Sequence, residues 1–127
     1  MTKQAIATKQ APNALGPYTQ AVRAGGTLYL SGQIGIDPAA GQLVEGVEAQ
    51  AHQAFRNLRA VAEAAGGDLD DVVKVTVMLA DLGDFALVNS IMAGYFREPY
   101  PARSAFQAAA LPRGARIEIE AIAAISG

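Results

Sequence analysis

PARSAFQAAALPRGARIEIEAIA, residues 101–123, reads as two apolar runs around a Pro-Arg-Gly turn. Side chains alternate across a strand, so residues two apart share a face. In the first run Arg103, Ala105 and Gln107 lie together, and in the second Arg116, Glu118 and Glu120 do. If the turn at 111–114 closes a tight hairpin, Ala110 stands opposite Ala115, Gln107 opposite Glu118 and Ala105 opposite Glu120. Directly opposed residues point to one side. The hairpin therefore predicts Arg103, Gln107, Glu118 and Glu120 gathered on one face. Such a cluster is either an ordinary exposed ion pair or a small-molecule site. In a site, the planar guanidinium would grip a carboxylate bidentately while a glutamate handles a water.

Working outward, residues 3–7 suit a short edge strand. Tyr18 to Ala24 and Leu28 to Ile34 suit strands joined at Gly25-Gly26, a hairpin signal. Asp37 to Gly41 suits a turn. From Glu45 to Ala65 the apolar period lengthens. Val47, Ala51, Phe55, Leu58, Val61 or Ala62, and Ala65 fall on one helical face, Glu48, Gln53, Arg56, Asn57 and Glu63 fill the remaining arc, and Gly66 is the stop. Val72 to Leu79 is rich in β-branched residues and predicts a strand. Asp81 or Asp84 is placed to cap a second helix over Phe85 to Arg97, ended by Pro99 and Pro101. The order predicts an α+β domain spanning residues 1–127, one mixed sheet with two helices on one face. The strand residues Leu28, Leu30, Ile34, Val73, Val75, Val77 and Leu79 suggest that both sheet faces are apolar, hence self-association through the sheet.

Composition narrows the function. The 127 residues are 51% apolar and 17% charged, with a net charge of −2. Without a basic run, a nucleic-acid partner is not supported. The absence of cysteine excludes disulfides, thiol nucleophiles and thiolate metal sites, and the lone His52 builds no histidine metal site. MTKQAIATKQ lacks the apolar core of a secretory leader, and no segment approaches a membrane span. The expectation is a soluble, cytoplasmic protein with no membrane partner.

Four stretches carry a resemblance: AIATKQAPNALGPYTQAV, LSGQIGIDPAAGQLV, NLRAVAEAAGGDLDDVVKVTVMLADLGDFALVN and YPARSAFQAAALPRGARIEIEAIA. In order and spacing they resemble the reactive intermediate deaminase (RidA) family along nearly the whole chain. The resemblance implies a chorismate-mutase-like fold. It also implies a homotrimer whose sheets surround a central barrel, with clefts between neighbouring subunits. The implied activity is hydrolysis of 2-imino acids, such as 2-iminopropanoate and 2-iminobutanoate, to 2-oxo acids and ammonia, which protects pyridoxal-phosphate enzymes. No metal or organic cofactor is implied.

By the same resemblance, Arg103 of the PARS motif binds the substrate carboxylate, and Glu118 of IEIEAIA orients the water. Tyr18 of GPY reaches the substrate with its hydroxyl. Ser31, Gly32 and Asn89 line the site, and Phe85 supplies an apolar wall. Ala105 stands where several members carry a cysteine, and Gln107 where they carry a glutamate. A competing reading is an oxo-acid-binding or chaperone-like module that uses the same cleft without turnover.

Overall fold

The computed structural model describes residues 2–126. The long helix α1, Val47–Ala64, has the expected apolar face: Ala51, Phe55, Leu58 and Val61 are fully buried, and Ala54 is buried with them. Burying each large side chain contributes up to about 1.5–3 kcal/mol. Gly46 and Gly66, both at positive φ, bracket the helix. Its polar arc is not wholly exposed, because Gln50 and Asn57 are buried. Asn57 Nδ2 donates to the carbonyls of Ile34 (3.2 Å) and Ile36 (2.9 Å), and its Oδ1 accepts from Gln53. Gln50 donates to the Val44 carbonyl and accepts from the Arg116 amide at 2.8 Å. A buried amide with every partner satisfied fixes one arrangement of the elements around it.

The strands are β1 (Gln4–Ile6), β2 (Ala21–Ala24), β3 (Thr27–Ile34), β4 (Ile36–Asp37), β5 (Gln42–Leu43), β6 (Val72–Leu79), β7 (Ala102–Gln107) and β8 (Ile117–Ala124). Six form a mixed sheet in the order β1-β2-β3-β8-β6-β7, and β4 and β5 form a separate ribbon. The single sheet expected from sequence is thus one main sheet plus this ribbon. Helix α1 lies across β3 and β8, and α2 (Phe85–Ala93) packs beside α1. No helix among the described residues is long and apolar enough to cross a membrane.

The second helix is shorter than the expected Phe85 to Arg97. Gly94 ends it, and Phe96 is buried beyond it, edge-on to Phe55. Asp81 caps a short turn before the helix by accepting from the Gly83 amide, whereas Asp84 receives Arg116 Nη2 at 2.7 Å.

The closing hairpin is not formed. Strand β7 pairs with β6 in parallel, Val75 beside Arg103 and Val77 beside Ala105. Strand β8 lies between β3 and β6, antiparallel to both. The cause is visible in the side chains. Strand β8 buries Ile117, Ile119, Ala121 and Ala123, a complete apolar face that belongs in the sheet centre. Strand β7 has no buried residue and suits an edge. Parallel strands need a crossover, which the α2 segment supplies between β6 and β7. Leu28, Leu30, Val75, Val77 and Leu79 all face the helices. The uncovered face carries other residues, among them Tyr29 (51% exposed), Phe106 (46% exposed), Thr76, Met78 and Ile122.

Replacing Asn57 with Leu orphans two buried carbonyls. It is expected to cost about 1–3 kcal/mol of stability, read as a lower denaturant midpoint with an unchanged slope.

Candidate functional site

The expected site residues fall into two clusters. The first forms at a bulge in β3. Leu30 pairs with Ala121 and Gln33 with Ile119, so Ser31 and Gly32 together oppose Glu120. An extra residue bends the strand and re-aims its neighbours. Here it makes room for Glu118. A Cβ on Gly32 would stand 2.2 Å from Glu118 Oε2, so the carboxylate rests against bare backbone. Glu118 is half-buried. Burial pushes its carboxyl above the ordinary carboxylate value, and the charge of nearby Glu120 adds to that.

Tyr18, Ser31, Gly32 and Glu118 line one cavity of about 510 Å³. Tyr18 is not on a strand as expected, since β2 begins only at Ala21. The reason is Gln20, a buried residue that sequence reasoning passed over. Its Oε1 accepts from the Thr8 amide, and its Nε2 donates to the carbonyls of Thr8 (3.0 Å), Ala11 (3.3 Å) and Pro12 (2.7 Å). That ties the residue 8–12 segment against the loop bearing Tyr18. Ser31 Oγ donates to the Thr19 carbonyl at 2.6 Å, leaving the hydroxyl oxygen only as an acceptor towards the cavity. Arg113 also lines this cavity and was not anticipated.

The second cluster surrounds Arg103 on β7. Its Nη1 donates to Asn89 Oδ1 at 2.6 Å and approaches Met92 Sδ at 3.7 Å. The guanidinium lies over the Phe85 ring, 5.0 Å from its centroid. Asn89 and Phe85 sit one turn apart on α2, so one helical face holds the cation from two sides. Nη1 is thereby occupied. Nε and Nη2 have no partner among the described residues and present a two-pronged donor edge of the kind that matches a carboxylate. Arg103 borders two hollows, one of about 440 Å³ with Asn89 and Tyr100, the other of about 450 Å³ with Phe85 and Ala105. Gln107 accepts from the Leu82 amide at 2.8 Å and anchors the turn that leads into α2.

The two clusters do not meet within one chain. Arg103 shares the helix-covered face with Val75 and Ala121, while Glu118, beside Met78, lies on the other face. Two strand spacings separate β7 from β8, roughly 10 Å, and the register adds roughly another 10 Å along the strands. No three- or four-carbon molecule spans that distance through a sheet. Arg103, Gln107, Glu118 and Glu120 are therefore not the single-faced group that a hairpin would make. Among the described residues, no three His, Cys, Asp or Glu side chains stand together as a metal site.

This architecture is that of an α+β protein with two clusters of candidate residues on opposite faces of one mixed sheet. The endoribonuclease L-PSP family matches residues 8–125, and the chain belongs to it, the same reactive intermediate deaminase family that its motifs resemble. It is 55% identical to the mouse (Mus musculus) 2-iminobutanoate/2-iminopropanoate deaminase over 95% of this chain and 90% of the mouse protein. The human (Homo sapiens) protein of the same name is 53% identical over 97% of this chain and 90% of its own length. The crystal structure of RidA from the Antarctic bacterium Psychrobacter sp. PAMC 21119 superposes with a TM-score of 0.94 at 54% identity, covering 96% of this chain and 99% of that one. The structure of E. coli TdcF with bound serine gives 0.92 at 39% identity, covering 97% and 99%.

Gly32→Ala is expected to keep the fold but displace the Glu118 carboxylate. A loss of imine hydrolysis of roughly 100-fold, the lower bound for losing a positioned base, with an unchanged circular dichroism spectrum, is the outcome to look for.

Proposed function

We propose that this protein is a 2-iminobutanoate/2-iminopropanoate deaminase whose site forms between two copies of the chain. Arg103 of one copy and Glu118, Tyr18, Ser31 and Gly32 of the next share the substrate. The observation that carries this is the free Nε and Nη2 edge of Arg103, held outward by Asn89 and Phe85 on the face opposite Glu118. The uncovered sheet face, with Tyr29, Phe106, Met78 and Ile122, supports assembly as a homotrimer around a central barrel. A net charge of −2 supports a small-molecule substrate over RNA.

The reaction needs a bound imine, a placed water and a proton path. The enamine first tautomerises to the 2-imino acid. Arg103 takes its carboxylate through Nε and Nη2. With the imine nitrogen protonated, the water oxygen attacks C2 and the C=N π pair moves to nitrogen. Glu118 accepts the water proton, giving a carbinolamine, and Tyr18 donates a hydrogen bond to the new oxygen. The protonated Glu118 returns its proton to the nitrogen. The C–N bond breaks, ammonia leaves, and the hydroxyl gives its proton to the ionised Glu118 to yield the 2-oxo acid.

A carboxyl pushed up by burial suits this exchange, because it is a better proton acceptor when ionised and gives the proton back readily. A module that only binds oxo acids needs no such group. In the cytoplasm this activity clears reactive imines before they reach pyridoxal-phosphate enzymes.

Arg103→Ala removes the bidentate anchor. It is expected to cost about 2–5 kcal/mol in transition-state binding, roughly 30- to 5,000-fold in kcat/KM, with the oligomer intact by light scattering. An unchanged rate would remove Arg103 from the site. Glu118 acts as a base only when ionised, so kcat/KM is expected to rise with pH through a step above the usual glutamate value of about 4.5. Glu118→Gln should abolish that step and lower the rate by roughly 100- to 10,000-fold.

A further inference from the structure

On a single chain the hollow beside Glu118 has a volume of about 510 Å³. Its walls include Leu15, Ile34, Ile36 and Pro112 as well as Glu118, and Arg113 is the one cationic residue lining it among the described residues. A hollow whose lining joins Glu118, apolar side chains and one cation suits a substrate side chain that ends in an anion.

The backbone at Arg113 points the same way. Its φ of 59° and ψ of 22° are left-handed, and it is the only non-glycine residue with positive φ among the described residues. Glycine or asparagine takes that conformation at least cost. The turn itself does not explain a long cationic side chain here. Nor does a partner, because Arg113 makes no hydrogen bond or ion pair among the described residues. The turn is firmly held: Gly114 donates to the Leu111 carbonyl and Ala115 to that of Pro112. Strain kept at a rigid, unpartnered position on a cavity wall is a signature of function.

We propose that Arg113 is a specificity-determining residue that receives the distal carboxylate of a 2-imino dicarboxylic acid, such as 2-iminosuccinate or 2-iminoglutarate. This rests on the imine-hydrolase reading, with the α-carboxylate on Arg103 of a second copy and C2 facing Glu118. The distal acid group needs such a cation, because an ionised Glu118 repels any second carboxylate in the same cavity. The planar guanidinium supplies paired donors for it.

The test compares two substrates made in situ and followed by semicarbazide trapping. L-glutamate oxidase, with catalase present, supplies 2-iminoglutarate, and threonine dehydratase supplies 2-iminobutanoate. The parent protein is compared with Arg113→Gln and Arg113→Gly. The expected result is that the ratio of kcat/KM for 2-iminoglutarate to that for 2-iminobutanoate falls about tenfold or more in both variants, through KM. Arg113→Gly is also expected to melt at a higher temperature than the parent, because glycine relieves the left-handed strain. A merely structural arginine would move stability and both substrates together. A ratio that is equal in parent and variants overturns the inference while leaving the imine-hydrolase reading in place. A parent that hydrolyses neither imine overturns both.

Discussion

The parallel pairing of β6 with β7 governs everything built on this fold. It sets Arg103 beside Val75, on the side of the sheet that the helices cover. Strand β8, threaded between β3 and β6, sends Glu118 to the other side. A sheet is one residue thick and impermeable to a small substrate, so a cation and a carboxylate arranged this way serve one reaction only across two copies of the chain. The apolar alternation of Ile117, Ile119, Ala121 and Ala123 enforces the arrangement. Shifting β8 by one residue would bury Glu118 and Glu120 under α1 and expose four core side chains.

Each cluster is shaped by its packed neighbours. On one side, Asn89 and Phe85 pin Arg103 by one nitrogen and one face, leaving a defined edge to meet a ligand. Gln107 holds the turn from which that helix starts. On the other side, the β3 bulge and the bare Cα of Gly32 admit the Glu118 carboxylate, and Gln20 gathers three loop carbonyls behind Tyr18. Buried amides recur because a side-chain amide both donates and accepts, and so satisfies irregular backbone where the strands are broken.

Much of this was legible in the residues. The 3.6-residue period of Val47 to Val61 and the β-branched run of Val72 to Leu79 each lead to the element observed. The motif resemblance singled out Arg103, Glu118, Tyr18 and Asn89, and all of them line cavities. Pairing was not legible. A local alternation pattern is the same whether a strand joins its chain neighbour or an edge further away, and PARSAFQ next to IEIEAIA suggested a hairpin. The complete burial of one β8 face and the exposure of β7 were the discriminating signals, together with the rule that a strand-helix-strand run favours parallel pairing. The sequence places Asn57 on the polar arc of the helix and marks neither Gln20 nor Gln50, because nothing in a side-chain amide announces which carbonyls it will meet. The left-handed conformation of Arg113 was likewise hidden, since arginine is not a residue that signals it.

The central claim is that one substrate is held by two copies, and subunit mixing tests it most directly. Arg103→Ala and Glu118→Gln chains, each inactive alone, are unfolded together in equal amounts and refolded into mixed oligomers. A site that takes its arginine and its glutamate from different copies is intact in about a quarter of random pairings. The account predicts recovery of about that fraction of the parental imine hydrolysis. Mixed oligomers verified by native mass spectrometry that show no recovered activity would contradict it.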